Sequence, residues 1–228
     1  YALGSVLGHV LLHQTINGNE AILQMEQAGD YPDIIVGCTG GGSNLAGLMF
    51  PFLGQQLRGG QKIDIIGCEP ISCPSFTKGK YAYDHGDMAR MTPLIKMHTL
   101  GSDFLPPANH SGGLRYHGMS YHLSHLYDLG LMRAKAYGQK DCFEAGVIFG
   151  KQEGIIPAPE GNHAVKGAMD AALECKEKGE SKTILFNLCG HGHFDMTAYD
   201  DYFSGRLADD FYDEETANKS LSALPEIT

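Results

Sequence analysis

The chain has 228 residues, 43% hydrophobic and 19% charged, with 30 glycines and no tryptophan. That length holds one large domain or two small ones with enough core to fold, and aperiodic glycine with ample aliphatic content excludes collagen-like and disordered chains. A formal net charge of -10 argues against a nucleic-acid partner, whose phosphates an acidic surface repels, and no apolar run reaches the roughly 18 residues of a membrane span.

Asp209, Asp210, Asp213, Glu214, Glu215 and Glu226 against Lys219 alone place half of the net charge in residues 207–228. The expected organisation is one α/β domain over residues 1–206 and an acidic C-terminal tail over 207–228. Cys38, Cys68, Cys73, Cys142, Cys175 and Cys189 contain no CxxC pair, and several stand in apolar strand-like runs as small core residues do. All six are expected as reduced thiols. Without a basic-flanked signal peptide, the protein is expected to be soluble and cytoplasmic.

In chain order, the sequence opens on Tyr1 and runs directly into apolar helical material over residues 2–12, without a cap or polar lead-in. It reads as a chain joined in mid-element. A second helix is expected near residues 19–27, ended by Gly29 and Pro32 in the usual order. Residues 33–38 (DIIVGC), 62–68 (KIDIIGC) and 183–188 (TILFNL) are apolar runs of strand length, the pattern of strands buried on both faces of a parallel sheet. Residues 44–53, 139–151 and 162–178 have helical periodicity, with Gly154 and Gly179 just beyond the last two. This alternation predicts an α/β fold, an open, mostly parallel twisted sheet covered by helices. Residues 71–113 are rich in Gly, Pro, Ser and His, with weak periodicity, and are expected to be a long irregular excursion.

Three segments carry candidate chemistry. After the strand at 33–38 come Thr39, Gly40, Gly41, Gly42, Ser43 and Asn44, then a helix. Unhindered amides at a helix N-terminus, with the Ser43 hydroxyl beside them, can close around an anion, so a phosphate-bearing ligand is expected. The spacing is neither G-x-G-x-x-G nor a P-loop; the alternative is a tight turn capped by Ser43, but a cap needs one small residue and not three glycines. In the second segment, EGIIPAPEGNHA, Glu160 stands between a proline-stiffened strand end and a helix start, at the sheet edge where ligands of open α/β folds bind. It is either a general acid/base or a carboxylate stabilising the helix N-terminus. The third, LFNLCGHGHFD, places Cys189, Gly190, His191 and His193 in a polar loop at the same edge. No third or fourth ligand at a diagnostic spacing supports zinc there, and no metal is expected.

Taken together, GGGSN after a strand, SGGLRYHGMS (111–120), EGIIPAPEGNHA (153–164) and LFNLCGHGHFD (185–195) resemble the tryptophan synthase β-subunit family of fold-type II pyridoxal-phosphate enzymes. The match is closest to the family's second, divergent branch and covers its C-terminal half. The resemblance implies pyridoxal 5'-phosphate as cofactor, with Gly40, Gly41, Gly42, Ser43 and Asn44 as the phosphate loop. It implies Glu160 as the active-site glutamate that moves protons during condensation with indole. Cys189, followed by Gly190, falls where the family has a serine that hydrogen-bonds the pyridine nitrogen. Arg115 stands where the better-known branch has an aspartate, and is expected to engage an anion.

The resemblance further implies serine or O-phosphoserine and indole as substrates, and a homodimer. The family's Schiff-base lysine lies in its N-terminal half, and none of the 12 lysines here sits in that motif. The chain is therefore expected to be inactive alone and to need the missing half. Two alternatives are another fold-type II activity, such as a threonine synthase or dehydratase, and a non-catalytic module that binds a phosphorylated small molecule.

Overall fold

A computed structural model of the chain describes residues 4–226. Four strands, β1 (Ile34–Cys38), β2 (Asp64–Pro70), β5 (Arg133–Tyr137) and β6 (Ile184–Phe186), form a parallel sheet in the order β5-β2-β1-β6. Ile34 lies beside both Asp64 and Ile184 in the register. Every residue of β1 is buried, because helices cover both faces. Ile35 packs on one face with Leu11, Leu45 and Phe52 from α1 (Gly8–Ala28) and α2 (Ser43–Leu57). Ile34 and Val36 pack on the other with Cys142 of α4 (Gln139–Glu153) and with Ala171 and Cys175 of α5 (Pro159–Lys178). Each such aliphatic side chain contributes about 1.5 to 3 kcal/mol of transfer free energy, so the two-sided apolar runs of the sequence and the doubly covered parallel sheet have one cause.

The two helices expected before residue 28 are one, α1, and the part of that expectation on residues 1–3 lies outside the described residues. Gly18, which weakens a helix in isolation, is the point at which α1 crosses α2. A Cβ at Gly18 would lie 2.4 Å from the Leu48 carbonyl oxygen and 2.6 Å from that of Gly47, and one at Gly47 would lie 2.5 Å from the Gln14 carbonyl oxygen. Pro51, four residues on, has no N–H to give the Gly47 carbonyl, and the α1 backbone packs over that carbonyl instead.

The excursion at 71–113 is not wholly irregular. It contains an antiparallel pair, β3 (Lys80–His85) with β4 (Leu94–Thr99), in the register Lys80 to Thr99 through His85 to Leu94. Apolar alternation is missing because the hairpin buries polar groups: the Thr99 hydroxyl donates to the fully buried Asp84 carboxylate at 2.6 Å, while Tyr83 and Leu94 are exposed. The loop after β2 is pinned by Glu69, fully buried, whose carboxylate accepts from the Phe76 and Thr77 amides at 2.8 and 2.9 Å. Burial pushes this carboxyl up to about 7 against the lowering effect of those bonds.

Strand β5 follows α3 (Tyr121–Asp128) and stands at the sheet edge with Arg133 paired to Asp64 at 2.8 Å and Lys135 paired to Glu174, charges of the kind that protect an open edge. Beyond α6 (Met196–Phe203), the acidic segment folds back on the body. Leu207 is buried, and α7 (Glu214–Ser222) starts at Asp213, whose side chain accepts from the Glu215 and Thr216 amides. Ala217 of α7 packs against Cys73, Leu100 and Phe104. No helix among the described residues is long and apolar enough to cross a membrane.

Candidate active site

β1 has β2 on one side and β6 on the other, and the chain runs from β1 to β2 on one side while β6 is added later on the other, so the strand order switches between β1 and β6. A crevice opens at such a switch point. Here it is a cavity of about 210 Å³ lined by Ser5, Cys38, Gly40, Gly41, Gly42, Ser43, Asn44, Gly113, Leu114, Glu160 and Cys189. The cavity thus gathers the glycine loop, the glutamate and the cysteine, three features far apart in sequence.

The loop between β1 and α2 lines the cavity. Among the described residues, none of the N–H groups of Gly40, Gly41, Gly42, Ser43 and Asn44 donates to a protein acceptor, whereas Thr39 before them and Ala46 after them are bonded to the carbonyls of Cys68 and Gly42. Five free donors at the positive end of a 15-residue helix form an anion cradle. The Ser43 hydroxyl accepts from the Gln14 side chain at 3.4 Å, which leaves its own proton to donate. Asn44 is held from β6: the Asn187 side-chain amide donates to the Asn44 Oδ1 at 2.7 Å. Asn187 stood in the LFNLCGHGHFD segment without an assigned role, and its partner is visible only once β6 pairs with β1.

The three glycines also have packing reasons that the sequence does not reveal. A Cβ at Gly40 would meet the Gly113 carbonyl oxygen at 2.5 Å, and one at Gly41 the Ser5 hydroxyl at 2.4 Å. Gly42 has a φ of 96° and would drive a Cβ to 2.3 Å from Leu123. The free amides, rather than the number of glycines, therefore carry the anion-site reading.

Glu160 is the second residue of α5, after Pro159 at N1. Its Oε1 accepts from the Gly113 amide at 2.9 Å, which ties the single 3-10 turn Gly112–Leu114 across the mouth of the cavity. The start of α5 is itself tied to the loop after β6: the Ala158 amide donates to the Gly190 carbonyl at 3.0 Å, and the Gly192 amide to that of Ile156 at 2.7 Å. Gly190 holds a φ of 147°, which a residue with a Cβ rarely adopts. Gly190 thus positions Cys189 and Glu160 relative to one another and does not itself line the cavity.

Cys189 is half-buried and its Sγ lies 3.2 Å from the Sγ of Cys38, the last residue of β1. The hydrogen bond from Cys38 holds the Cys189 thiol below its usual range against the opposing effect of burial. The same bond, together with burial, pushes the Cys38 thiol up. All six cysteines are free.

Arg115 is not among the cavity residues. It is exposed, and its guanidinium donates to the Pro106 carbonyl at 2.7 Å. His191 and His193 are held by a ring contact and by donation of the His193 amide to His191 Nδ1, and no metal-ligating cluster of three or more His, Cys, Asp or Glu exists among the described residues.

Comparison with known proteins accords with this arrangement. Residues 11–190 match the pyridoxal-phosphate dependent enzyme family. The chain is 58% identical over 92% of its length to tryptophan synthase beta chain 2 of Aquifex aeolicus, and 50% identical over 99% of its length to tryptophan synthase beta chain of Pyrococcus horikoshii. It spans 49% and 48% of those relatives, about half their length, and corresponds to their C-terminal half. In structure it is similar to a fungal L-serine ammonia-lyase from Rhizomucor miehei, with a TM-score of 0.61 at 14% identity over 85% of this chain and 56% of that one. A threonine deaminase from T.th. gives 0.57 at 17% identity over 82% and 53%. These two likenesses establish the shared fold. The cradle of free amides fits the phosphate of the family's cofactor, and the chain belongs to the pyridoxal-phosphate dependent enzyme family.

Proposed function

We propose that this chain is the C-terminal half of an enzyme that makes tryptophan by β-replacement, from serine or an activated serine such as O-phosphoserine, and indole, and that works as a homodimer. The observation that supports the reading is the convergence of five unpaired amides, Glu160 and Cys189 on one cavity, in a chain whose sequence relatives are named as tryptophan synthase β chains. Pyridoxal phosphate, when bound, supplies an electron sink for the amino-acid substrate.

The chain's own residues do the rest. The amides of Gly40 to Asn44 and the Ser43 hydroxyl hold the phosphate by charge-assisted hydrogen bonds. Asn187, through Asn44, and Gly190, through Ala158, keep the two loops in place. Cys189 meets the ring nitrogen with a thiol, a weaker hydrogen-bonding group than the hydroxyl of the family's serine. Glu160 takes and returns a proton at a carboxylate whose position is fixed by the Gly113 amide. Arg115 keeps the 112–115 turn in place through Pro106 and, in this reading, meets an anion only where the turn moves or another chain approaches.

Among the described residues no lysine lines the cavity, and we infer that the Schiff-base lysine comes from sequence outside this chain. Adding the corresponding N-terminal half as a separate polypeptide is expected to yield tryptophan from indole with serine or O-phosphoserine. The 228-residue chain alone should give none, and borohydride reduction should leave no stoichiometric phosphopyridoxyl-lysine on it. Formation of a 2-oxo acid without tryptophan in the reconstituted mixture would assign a dehydratase instead, and a fully labelled lysine on the isolated chain would overturn the division of the site.

A further inference from the structure

The cavity has a property that cofactor binding does not require. Cys38 ends β1, and Cys189 stands in the loop after β1's parallel neighbour β6, 151 positions away in sequence, with sulfurs 3.2 Å apart. Among the described residues, no other two thiols lie within hydrogen-bond distance of one another. Cys68, Cys73, Cys142 and Cys175 are each buried. A disulfide requires about 2.05 Å between sulfurs, so the pair, at 3.2 Å, is little more than 1 Å from bonding distance.

We propose that Cys38 and Cys189 are a reversible dithiol–disulfide site in the wall of the cavity, oxidised by small disulfides of the glutathione type. The division of labour follows from exposure. Cys189 opens on the cavity and is the more exposed of the two, so it is the attacking sulfur. Cys38 also borders the cavity but is only 3% exposed, too little for an external disulfide to reach its sulfur. In the first step the Cys189 thiolate attacks one sulfur of glutathione disulfide, a Cys189–glutathione bond forms, and one glutathione leaves as thiolate. In the second, the Cys38 sulfur attacks Cys189, the Cys38–Cys189 bond forms, and the second glutathione leaves with the Cys38 proton. Two thiols are oxidised and one glutathione disulfide is reduced to two glutathiones.

The bond consumes the thiol that faces the ring nitrogen, so the oxidised chain binds pyridoxal phosphate more weakly. This consequence rests on the reading under Proposed function, whereas formation of the bond does not.

The test uses the folded 228-residue chain with glutathione disulfide. Remaining thiols are then alkylated in denaturant and peptides are read by mass spectrometry. The expected product links the Cys38 and Cys189 peptides with loss of two hydrogens, leaves the other four cysteines alkylated, and reverts with dithiothreitol. Cys38→Ser should instead accumulate a stable mixed disulfide of Cys189 with glutathione. Six alkylated cysteines, scrambled pairs, or a wild-type chain that stops at the mixed disulfide would each overturn the proposal. A second measurement compares pyridoxal-phosphate affinity before and after oxidation, with an expected loss of tenfold or more. Unchanged affinity in a fully linked chain would overturn the control of the cofactor site. A chain that forms the bond but binds no cofactor even when reduced would instead contradict the proposed function.

Discussion

Ser43→Asp is expected to lower the affinity for pyridoxal phosphate at least 100-fold while the chain keeps its fold. The substitution puts a carboxylate at the first residue of α2, within the ring of free amides, where it occupies the donors and repels the phosphate. Two like charges about 4 Å apart near a protein surface cost about 4 kcal/mol, and about 2.7 kcal/mol is already a factor of 100. The fold tolerates the change because a carboxylate in the first helical turn interacts favourably with the helix dipole. Aspartate at Gly41 or Gly42 is a poorer probe. Its Cβ would collide with Ser5 or Leu123, so loss of binding there would mix repulsion with displaced loops. Ser43→Ala, which removes one donor to the charged phosphate and adds no charge, should cost about 1.5 to 3 kcal/mol. Calorimetry with pyridoxal phosphate, alongside circular dichroism, reads both variants. Wild-type affinity in a folded Ser43→Asp chain would show that the phosphate sits elsewhere.

The second large effect is at Glu160. With the complementary half supplied, Glu160→Gln is expected to reduce the rate of tryptophan formation by about 10²- to 10⁴-fold, the range for loss of a positioned acid/base. Glutamine keeps the side-chain length and an oxygen that accepts from the Gly113 amide, so cofactor affinity should stay within a few-fold of wild type. Glu160→Ala removes that acceptor as well, and frees the 112–114 turn from the mouth of the cavity. Its added loss relative to Gln measures positioning rather than proton transfer. A Glu160→Gln enzyme with wild-type turnover would reduce Glu160 to the structural link with Gly113.

Much of this was legible in the sequence, and the exceptions have physical causes. The runs that became β1, β2 and β6 are apolar without alternation because helices cover both faces of the sheet, and the family resemblance pointed to the loops at their ends. β5 was missed because Arg133 and Lys135 break its apolar character, and their partners Asp64 and Glu174 lie far away in sequence. The β3–β4 hairpin was missed because it buries Asp84 and Thr99 while exposing Tyr83 and Leu94. At the site, the glycine loop and Glu160 could be picked out along the chain. The Cys38–Cys189 contact could not, since each cysteine by itself looks like a small core residue and only the pairing of β1 with β6 brings them together.

In the proposed function, the loop after β1 holds the phosphate of the cofactor. The most direct test titrates the reduced, folded 228-residue chain with pyridoxal 5'-phosphate and, separately, with pyridoxal, which differs only in lacking the phosphate. With five amides in the cavity wall that have no protein acceptor, the phosphate ester should bind at least tenfold more tightly, since even one hydrogen bond to a charged group contributes about 1.5 to 3 kcal/mol. Inorganic phosphate should compete with it. Equal affinities for the two compounds, with no competition by phosphate, would show that the loop after β1 does not hold the phosphate.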